Sequence, residues 1–272
     1  MYPMNYEEAI LVSILIPVFN GDFSEIKESL DSIKNQSYTN FECILVDDSS
    51  DENITNSLKH YCDDDQRFLH IGRYKKDGLG SALNFGLRQC KGKYIARMDA
   101  DDVCVIHRIK NQVNYLELNT DISVVGSNMA IIDEQSNIYA IKKYGLNHNS
   151  IIRHFSYKNG MGHPSVMFRR NIIDSGELYR KDFRFCEDLE LWLRLLKKGY
   201  RFSNIDKVLV FYREDRNYNR IKDNWVYNLK ARKLHFKATN IYSYISIFSA
   251  IINILMPIGI RRTLYKIATC LK

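Results

Sequence analysis

Apolar positions along the first hundred residues alternate between two rhythms. Ile10 to Val18 is a continuous β-branched and aliphatic run closed by Pro17 and the turn Phe19-Asn20-Gly21, the pattern of a central parallel strand covered on both faces. Phe23 to Asn35 then sets Ile26, Leu30 and Ile33 at helical spacing behind Asp22 and Ser24 as candidate caps. The pair repeats, with a strand from Phe41 to Val46, a polar turn from Asp47 to Asp51 and a helix from Ile54 to Cys62. A short strand from Phe68 to Ile71, a helix from Gly80 to Cys90 and a strand from Tyr94 to Met98 ending at Asp99 continue it. Such alternation predicts a parallel sheet with crossover helices, and ligands of such sheets gather at the carboxyl ends of the strands. The polar clusters of this chain lie at those ends.

From Asp121 to Tyr139 strand signals continue without long helices, which predicts a mixed sheet in the second half. Glu187 to Lys198 reads as a helix with Leu189, Trp192, Leu193 and Leu196 on one face and Gly199 as its C-cap, followed by a late strand at Val208 to Tyr212. No internal repeat or low-complexity linker interrupts the chain. At 272 residues it is long enough for one large α/β domain, expected over residues 1–225, with a helical segment over 226–272.

That last segment has its own pattern. Ile241 to Ile260 carries no charge and is flanked by Lys233 and Lys237 before it and Arg261, Arg262 and Lys266 after it. Ser243, Ser246, Ser249 and Asn253 recur on one side, Tyr244, Phe248, Ile251, Ile252 and Leu255 on the other, and Pro257 and Gly259 interrupt the end. An amphipathic helix lying on a membrane surface fits this stripe best, with ordinary core packing and a membrane span as the other readings.

Hydrophobic content of 45% and charged content of 26% are those of an ordinary globular protein. The formal charge is +7, and from Arg194 onward basic residues outnumber acidic ones. Without an RNP, zinc-knuckle or helix-turn-helix signature, that excess points away from nucleic acid and toward an anionic membrane surface or a diphosphate ligand. The six cysteines (Cys43, Cys62, Cys90, Cys104, Cys186, Cys270) show no CxxC pairing or metal spacing and read as free thiols of a reducing cytosol. The run after Ala9 follows Glu7 and Glu8 rather than a basic stretch, so it is a buried strand and not an export signal.

The strongest chemical feature is Met98-Asp99-Ala100-Asp101-Asp102 at the end of an apolar strand. Three carboxylates within four residues repel one another, a cost most readily met when a cation neutralises them, and Mg²⁺ or Mn²⁺ commonly bridges one or two carboxylates to substrate phosphates. Alone, the triplet reads equally as a solvated acidic turn. Likewise Asp47 and Asp48 alone make an Asx-type turn, and Glu187 with Asp188 alone complement a helix dipole.

Together the segments Ser13-Ile14-Leu15-Ile16-Pro17-Val18-Phe19-Asn20, Leu45-Val46-Asp47-Asp48-Ser49-Ser50, Arg97-Met98-Asp99-Ala100-Asp101-Asp102 and Glu187-Asp188-Leu189-Glu190-Leu191-Trp192-Leu193-Arg194 resemble, in order and spacing, the hallmarks of family 2 bacterial glycosyltransferases of the surface-polysaccharide type. The resemblance covers about residues 10 to 213. It implies a GT-A fold, in which a Rossmann-like nucleotide-binding half carries a mixed central sheet, and inverting transfer of a sugar from a nucleotide-diphosphate donor, with UDP favoured. The implied acceptor is a hydroxyl of a lipid-linked or other oligosaccharide, and the implied location is cytoplasmic, on the inner face of the plasma membrane.

Residue by residue, the resemblance puts Pro17, Phe19 and Asn20 in the loop against the base, Asp48 on the uracil edge and Asp99 on the ribose or behind the metal. Asp101 becomes the contact of Mn²⁺ or Mg²⁺, with Asp102 as substitute, and Asp188 the general base on the acceptor hydroxyl. Gly162-His163-Pro164-Ser165 resembles an acceptor-side stretch, which makes His163 and Glu187 candidates for acceptor or diphosphate contact, whereas Trp192 belongs to its helix's apolar face. One departure stands out. Many members carry a His shortly after Tyr-Arg, but Tyr212-Arg213 is followed by Glu214-Asp215-Arg216, leaving the diphosphate to Arg213, Arg216 or nearby Asn residues. Two rivals remain. A sugar-1-phosphate nucleotidyltransferase would carry a Gly-rich basic loop after the first strand, which Pro17 to Asp22 lacks; a non-catalytic nucleotide-sugar-binding module would not need Asp101 and Asp188.

Overall fold

A computed structural model describes residues 10–73, 77–214, 221–257 and 259–260. Strand β1 (Val12–Val18) is buried along almost its whole length and pairs in parallel with β2 (Phe41–Asp47) on one side and β4 (Tyr94–Arg97) on the other. Strand β3 (Phe68–Gly72) extends this parallel half beyond β2. Because side chains alternate across a strand, β1 sends Val12, Ile14, Ile16 and Val18 to one face of the sheet and Leu15 to the other.

The first face packs against α1 (Phe23–Lys34), α2 (Glu52–Asp63) and α4 (Arg108–Leu118), through Ile26, Leu30, Ile33, Leu58, Ile109 and Val113. The second packs against α3 (Leu79–Leu87), where Gly86 lies so close to β1 and β2 that an added Cβ would come within 2.3 Å of Leu15 and 2.6 Å of Val46. Caps follow the sequence signals: the Asp22 carboxylate accepts from the Ser24 amide at 2.8 Å to open α1, and that of Asp51 accepts from the Asn53 amide to open α2.

The second half of the sheet is mixed. Strand β6 (Val124–Ile132) runs parallel to β9 (Phe202–Arg213) and antiparallel to β8 (Met167–Arg169) and β7 (Ile138–Lys142). β8 joins the two halves by pairing antiparallel with β4, and the two-residue β5 (Val103–Cys104) closes the far edge against β9. The order along the sheet is β3-β2-β1-β4-β8-β6-β9-β5, with β7 on β6.

Beyond β7, α5 (His148–Phe155) and α6 (Asn171–Asp174) flank β8, and α7 (Glu187–Lys197) lies on the second face with Leu189, Trp192 and Leu195 buried beside Phe155. Helix α8 (Ile221–Leu234) packs on α7, with Ala231 in the same cluster, so the expected boundary at 225–226 falls inside α8.

Helix α9 (Ile241–Leu255) turns its small and polar side inward. Ser246 and Ala250 are buried, and the Ser249 hydroxyl reaches the Tyr157 carbonyl at 3.3 Å. Its apolar side faces outward: Phe248 is 66% and Leu255 76% exposed, with Tyr244, Ile245, Ile251 and Ile252 beside them. No helix among the described residues is long and apolar enough to cross a membrane. Cys43, Cys62, Cys90, Cys104 and Cys186 are free thiols, and Cys270 lies outside the described residues.

Candidate active site

The carboxyl ends of β1, β2 and β4 meet in register, since Val18 pairs with Asp47 and Leu15 with Arg97. The loops that leave them therefore form one rim, as expected where parallel strands fan out at a change of strand order. Beyond Pro17 and Val18, Phe19 projects 65% exposed, and Asn20 takes a left-handed backbone (φ 54°). The Asn20 side-chain oxygen accepts from the Ser50 amide at 2.9 Å, while its own amide donates to the Ser49 hydroxyl at 3.1 Å. The first and second loops are thus pinned together, leaving Phe19 as a bare aromatic face on the rim.

Asp47 and Asp48 divide the work of the second loop. Although burial acts in the opposite direction, donors from His70 (2.9 Å), Thr55 (2.7 Å) and the Ser49 amide (2.8 Å) hold the Asp47 carboxyl well below the usual carboxylate range. Asp47 is a buried brace. Asp48 is held instead by Arg73, whose Nη1 lies 3.1 Å from its Oδ2 and whose guanidinium sits 5.8 Å from the Phe85 ring centre. Nothing in the sequence around Arg73 marked it; the pairing arises because β2 and β3 are neighbours and end together.

At the end of β4, Arg97 is buried and grips Asp99 with both terminal nitrogens, one at 2.7 Å. This fork-to-fork pair directs the Asp99 carboxylate back toward the strand. Asp102 is fully buried, accepts the Arg213 amide at 2.9 Å through Oδ1 and leaves Oδ2 with no partner. Burial, then the charges of Asp99 and Asp101, push its carboxyl well above the ordinary value.

Asp101 stands at the surface of the loop, and among the described residues no side chain donates to its carboxylate. Burial on its protein side and the Asp99 charge raise it to about 6. Among the described residues no three His, Cys, Asp or Glu side chains form a ready-made metal cage. The donor set fits a hard cation that takes one or two carboxylates and completes its shell with water and phosphate oxygens. Asp101 would hold such an ion, with Asp99 behind it.

Across the rim, α7 opens at Cys186, whose left-handed backbone (φ 55°) aims the first helical turn into the site. Glu187 is buried and pushed up to about 8 by burial and then by the Asp188 charge. Asp188 is half-buried; burial raises it, while the Asn159 amide, donating to Oδ2 at 2.8 Å, and the Arg97 charge oppose the rise. Burial thus favours the proton on Glu187, whereas Asn159 and the Arg97 charge favour the ionised form of Asp188. Arg97 acts electrostatically on both halves of the site, on Asp101 and Asp102 as well as on Glu187 and Asp188. Arg97 opens the acidic segment without a role assigned to it there, and Asn159 carried no sequence signal.

His163 sits behind this arrangement rather than on it. It is buried, its Nε2 meets the Tyr179 hydroxyl at 2.8 Å, and burial with the Arg97 charge pushes it well below its ordinary pKa, leaving a neutral ring. Trp192 is fully buried, edge-on to His163 and Phe202. Arg213 is 6% exposed and committed within the protein: to the Asp101 carbonyl (3.1 Å), the Asp133 carbonyl (3.0 Å) and Glu28 (2.7 Å). It ties the acidic loop to the β6–β7 turn and to α1. Arg216 lies outside the described residues.

Comparison with known proteins places these features in context. The profile of glycosyl transferase family 2 matches residues 13–175. The O-antigen biosynthesis glycosyltransferase WbnJ of Escherichia coli is 35% identical over 75% of this chain and 79% of its own length. A UDP-Gal:alpha-D-GlcNAc-diphosphoundecaprenol beta-1,3-galactosyltransferase, also from Escherichia coli, is 29% identical over 93% of this chain and 94% of its own. Among solved structures, S. aureus TarS 1-349 in complex with UDP superposes with a TM-score of 0.68 at 18% identity, covering 91% of this chain and 72% of that one.

Proposed function

The chain belongs to glycosyl transferase family 2 and has the GT-A architecture, and from that premise we propose that it inverts the anomeric carbon of a UDP-sugar while transferring the sugar to a hydroxyl of a lipid-linked glycan in the assembly of a bacterial surface polysaccharide. The observation that carries the proposal is the convergence of Asp188, held by Asn159, and the acidic loop Asp99–Asp102 on one rim around the buried Arg97.

In this reading Phe19 stacks on the uracil while Asp48, fixed by Arg73, accepts from its ring N–H. Asp99, backed by Arg97, positions the ribose, and Asp101 would hold Mn²⁺ or Mg²⁺. The ion supplies charge neutralisation for the departing diphosphate. Asp188 takes the proton of the acceptor hydroxyl as its oxygen attacks the sugar carbon from the side opposite the diphosphate. Glu187, protonated, donates a hydrogen bond to the acceptor, and His163 orders the acceptor wall through Tyr179. Arg213 supports the loop that bears Asp101, which leaves direct diphosphate contact to other groups.

The outward apolar face of α9 suits an enzyme that works on a membrane surface, with Lys233 and Lys237 available to anionic lipid on the cytoplasmic side. The similarity to the O-antigen glycosyltransferase WbnJ supports a surface polysaccharide, that to the diphosphoundecaprenol galactosyltransferase supports a lipid-linked acceptor, and the UDP complex of TarS supports the nucleotide. Incubation with a panel of UDP-, GDP- and dTDP-sugars and a diphosphate-lipid acceptor tests the proposal. A UDP-sugar giving a product of opposite anomeric configuration by NMR is expected; retention, or nucleotidyl transfer to a sugar-1-phosphate, would overturn it.

A further inference from the structure

Between α5, α7, α8 and the first turns of α9 lies a cavity of about 180 Å³ that the proposed transfer chemistry does not use. Its floor is apolar, formed by Ile152, Phe155, Leu193 and Leu196, and its charged lining is wholly basic: Lys197, Arg232, His235 and Lys237, with no carboxylate among the described residues. Arg232 is 3% exposed, and among the described residues its guanidinium meets only neutral acceptors, the Phe155 carbonyl and, at 2.5 Å, the Asn228 side-chain oxygen. Burial pulls its pKa down to about 10. A buried cation without a counter-ion is costly, and a fold that keeps one beside a cavity is prepared for an anion.

Three independent features point the same way. His235 uses Nε2 on Glu190 at 3.1 Å and leaves Nδ1 buried without a partner. Lys197 and Lys237 are exposed at the mouth and form no ion pair among the described residues. The N-terminus of α9, capped by Asn240 through the Tyr242 amide at 2.9 Å, brings the positive end of a fifteen-residue helix to the same place. A second cleft, lined by Arg180, Arg194 and Lys198, adjoins the cavity and shares Lys197 and His235 with it, but there those three cations are already paired with Asp182, Glu177 and Glu190.

We propose that this cavity binds the phosphate of an anionic membrane lipid, so that headgroup capture and the outward apolar face of α9 form one docking surface. The lipid, rather than free phosphate, is favoured because the basic lining ends on the helix whose outer face is apolar and whose inner face walls the cavity. The inference rests on the membrane-surface reading of α9. It requires the phosphate to be met by Lys197 and Lys237 at the mouth and by Arg232 and His235 within.

The test uses the full chain and short-chain lipids below their micelle concentration, followed by thermal shift. Dihexanoyl phosphatidic acid should stabilise the protein saturably, more strongly than inorganic phosphate, and dihexanoyl phosphatidylcholine should not. Reversing both exposed lysines (Lys197→Glu with Lys237→Glu) should weaken phosphatidic acid at least about 25-fold, roughly fivefold per basic residue lost. The pair Phe248→Ser with Leu255→Ser should bind the short-chain lipid as wild type does but lose flotation on phosphatidic-acid vesicles. Undiminished phosphatidic acid binding in the double-lysine variant would overturn the cavity assignment. Equal stabilisation by phosphate and phosphatidic acid would overturn the lipid as source, and unchanged flotation of the Phe248/Leu255 variant would overturn the membrane reading beneath both.

Discussion

Arg213 offers a sharp distinction between holding a ligand and holding a loop. Replacing it by Met keeps much of the stem and removes the guanidinium that now satisfies the Asp101 and Asp133 carbonyls and faces Glu28. Glu28 is nearly half exposed, so its loss of partner is screened and contributes little. The two carbonyls that meet the buried Arg213 guanidinium are another matter: each polar group left without a partner costs about 1–3 kcal/mol, so two of them give at most roughly 2–6 kcal/mol. For a domain of this size, 1 kcal/mol moves the melting temperature by about 2–4 °C. The nucleotide-free Arg213→Met protein should therefore melt at least roughly 4 °C and at most roughly 24 °C below wild type. A guanidinium reserved for the diphosphate would leave the ligand-free protein almost unchanged and weaken only nucleotide binding. A ligand-free Tm within about 1 °C of wild type, measured by calorimetry, would refute the buttress argument.

The other predictions follow from the same geometry. Donor binding should require Mn²⁺ or Mg²⁺, and Asp101→Asn should weaken it at least tenfold without lowering the melting temperature; calorimetric titration in EDTA and in Mn²⁺ checks this. Glu187 is raised from 4.5 to about 8, so its ionisation penalises the folded state increasingly as pH rises through that window. Glu187→Gln cannot ionise and should flatten the decline of stability between about pH 5 and 8, as read from denaturant melts across pH. Asn159→Ala removes the donor that opposes the rise of Asp188, so the acidic limb of the kcat profile should move to higher pH while donor affinity stays constant.

How far each part was legible in the sequence depends on whether its cause was local. β1, α1, β2, α2 and β3 carry continuous apolar runs, 3.6-residue spacing and Asp caps, so the structure places them within a few residues of expectation. The expected strand at Val208–Tyr212 is longer, Phe202–Arg213, because pairing with β6 recruits Phe202 to Asp206 despite their polar interruptions. Helix α4 escaped notice although Ile109, Val113 and Leu116 share a face, since charged and amide residues separate them. Within the site, the motif residues stand at strand ends where the pattern put them. Arg73 and Asn159, which hold Asp48 and Asp188, act from distant segments and leave no local trace, whereas Arg97 stands inside the acidic segment two residues before Asp99.

The central claim is that Asp188 removes the acceptor proton, and its direct test is the transfer rate of Asp188→Asn. Asparagine keeps the size of the side chain and its place beside Asn159 but cannot take a proton, so kcat should fall by about 10²- to 10⁴-fold with UDP-sugar affinity unchanged. A helix-terminal carboxylate without a catalytic role would instead cost about 0.3–1 kcal/mol of stability and leave turnover intact. A collapsed rate with normal donor binding is the result the account predicts; a wild-type rate with a slightly lowered melting temperature would contradict it.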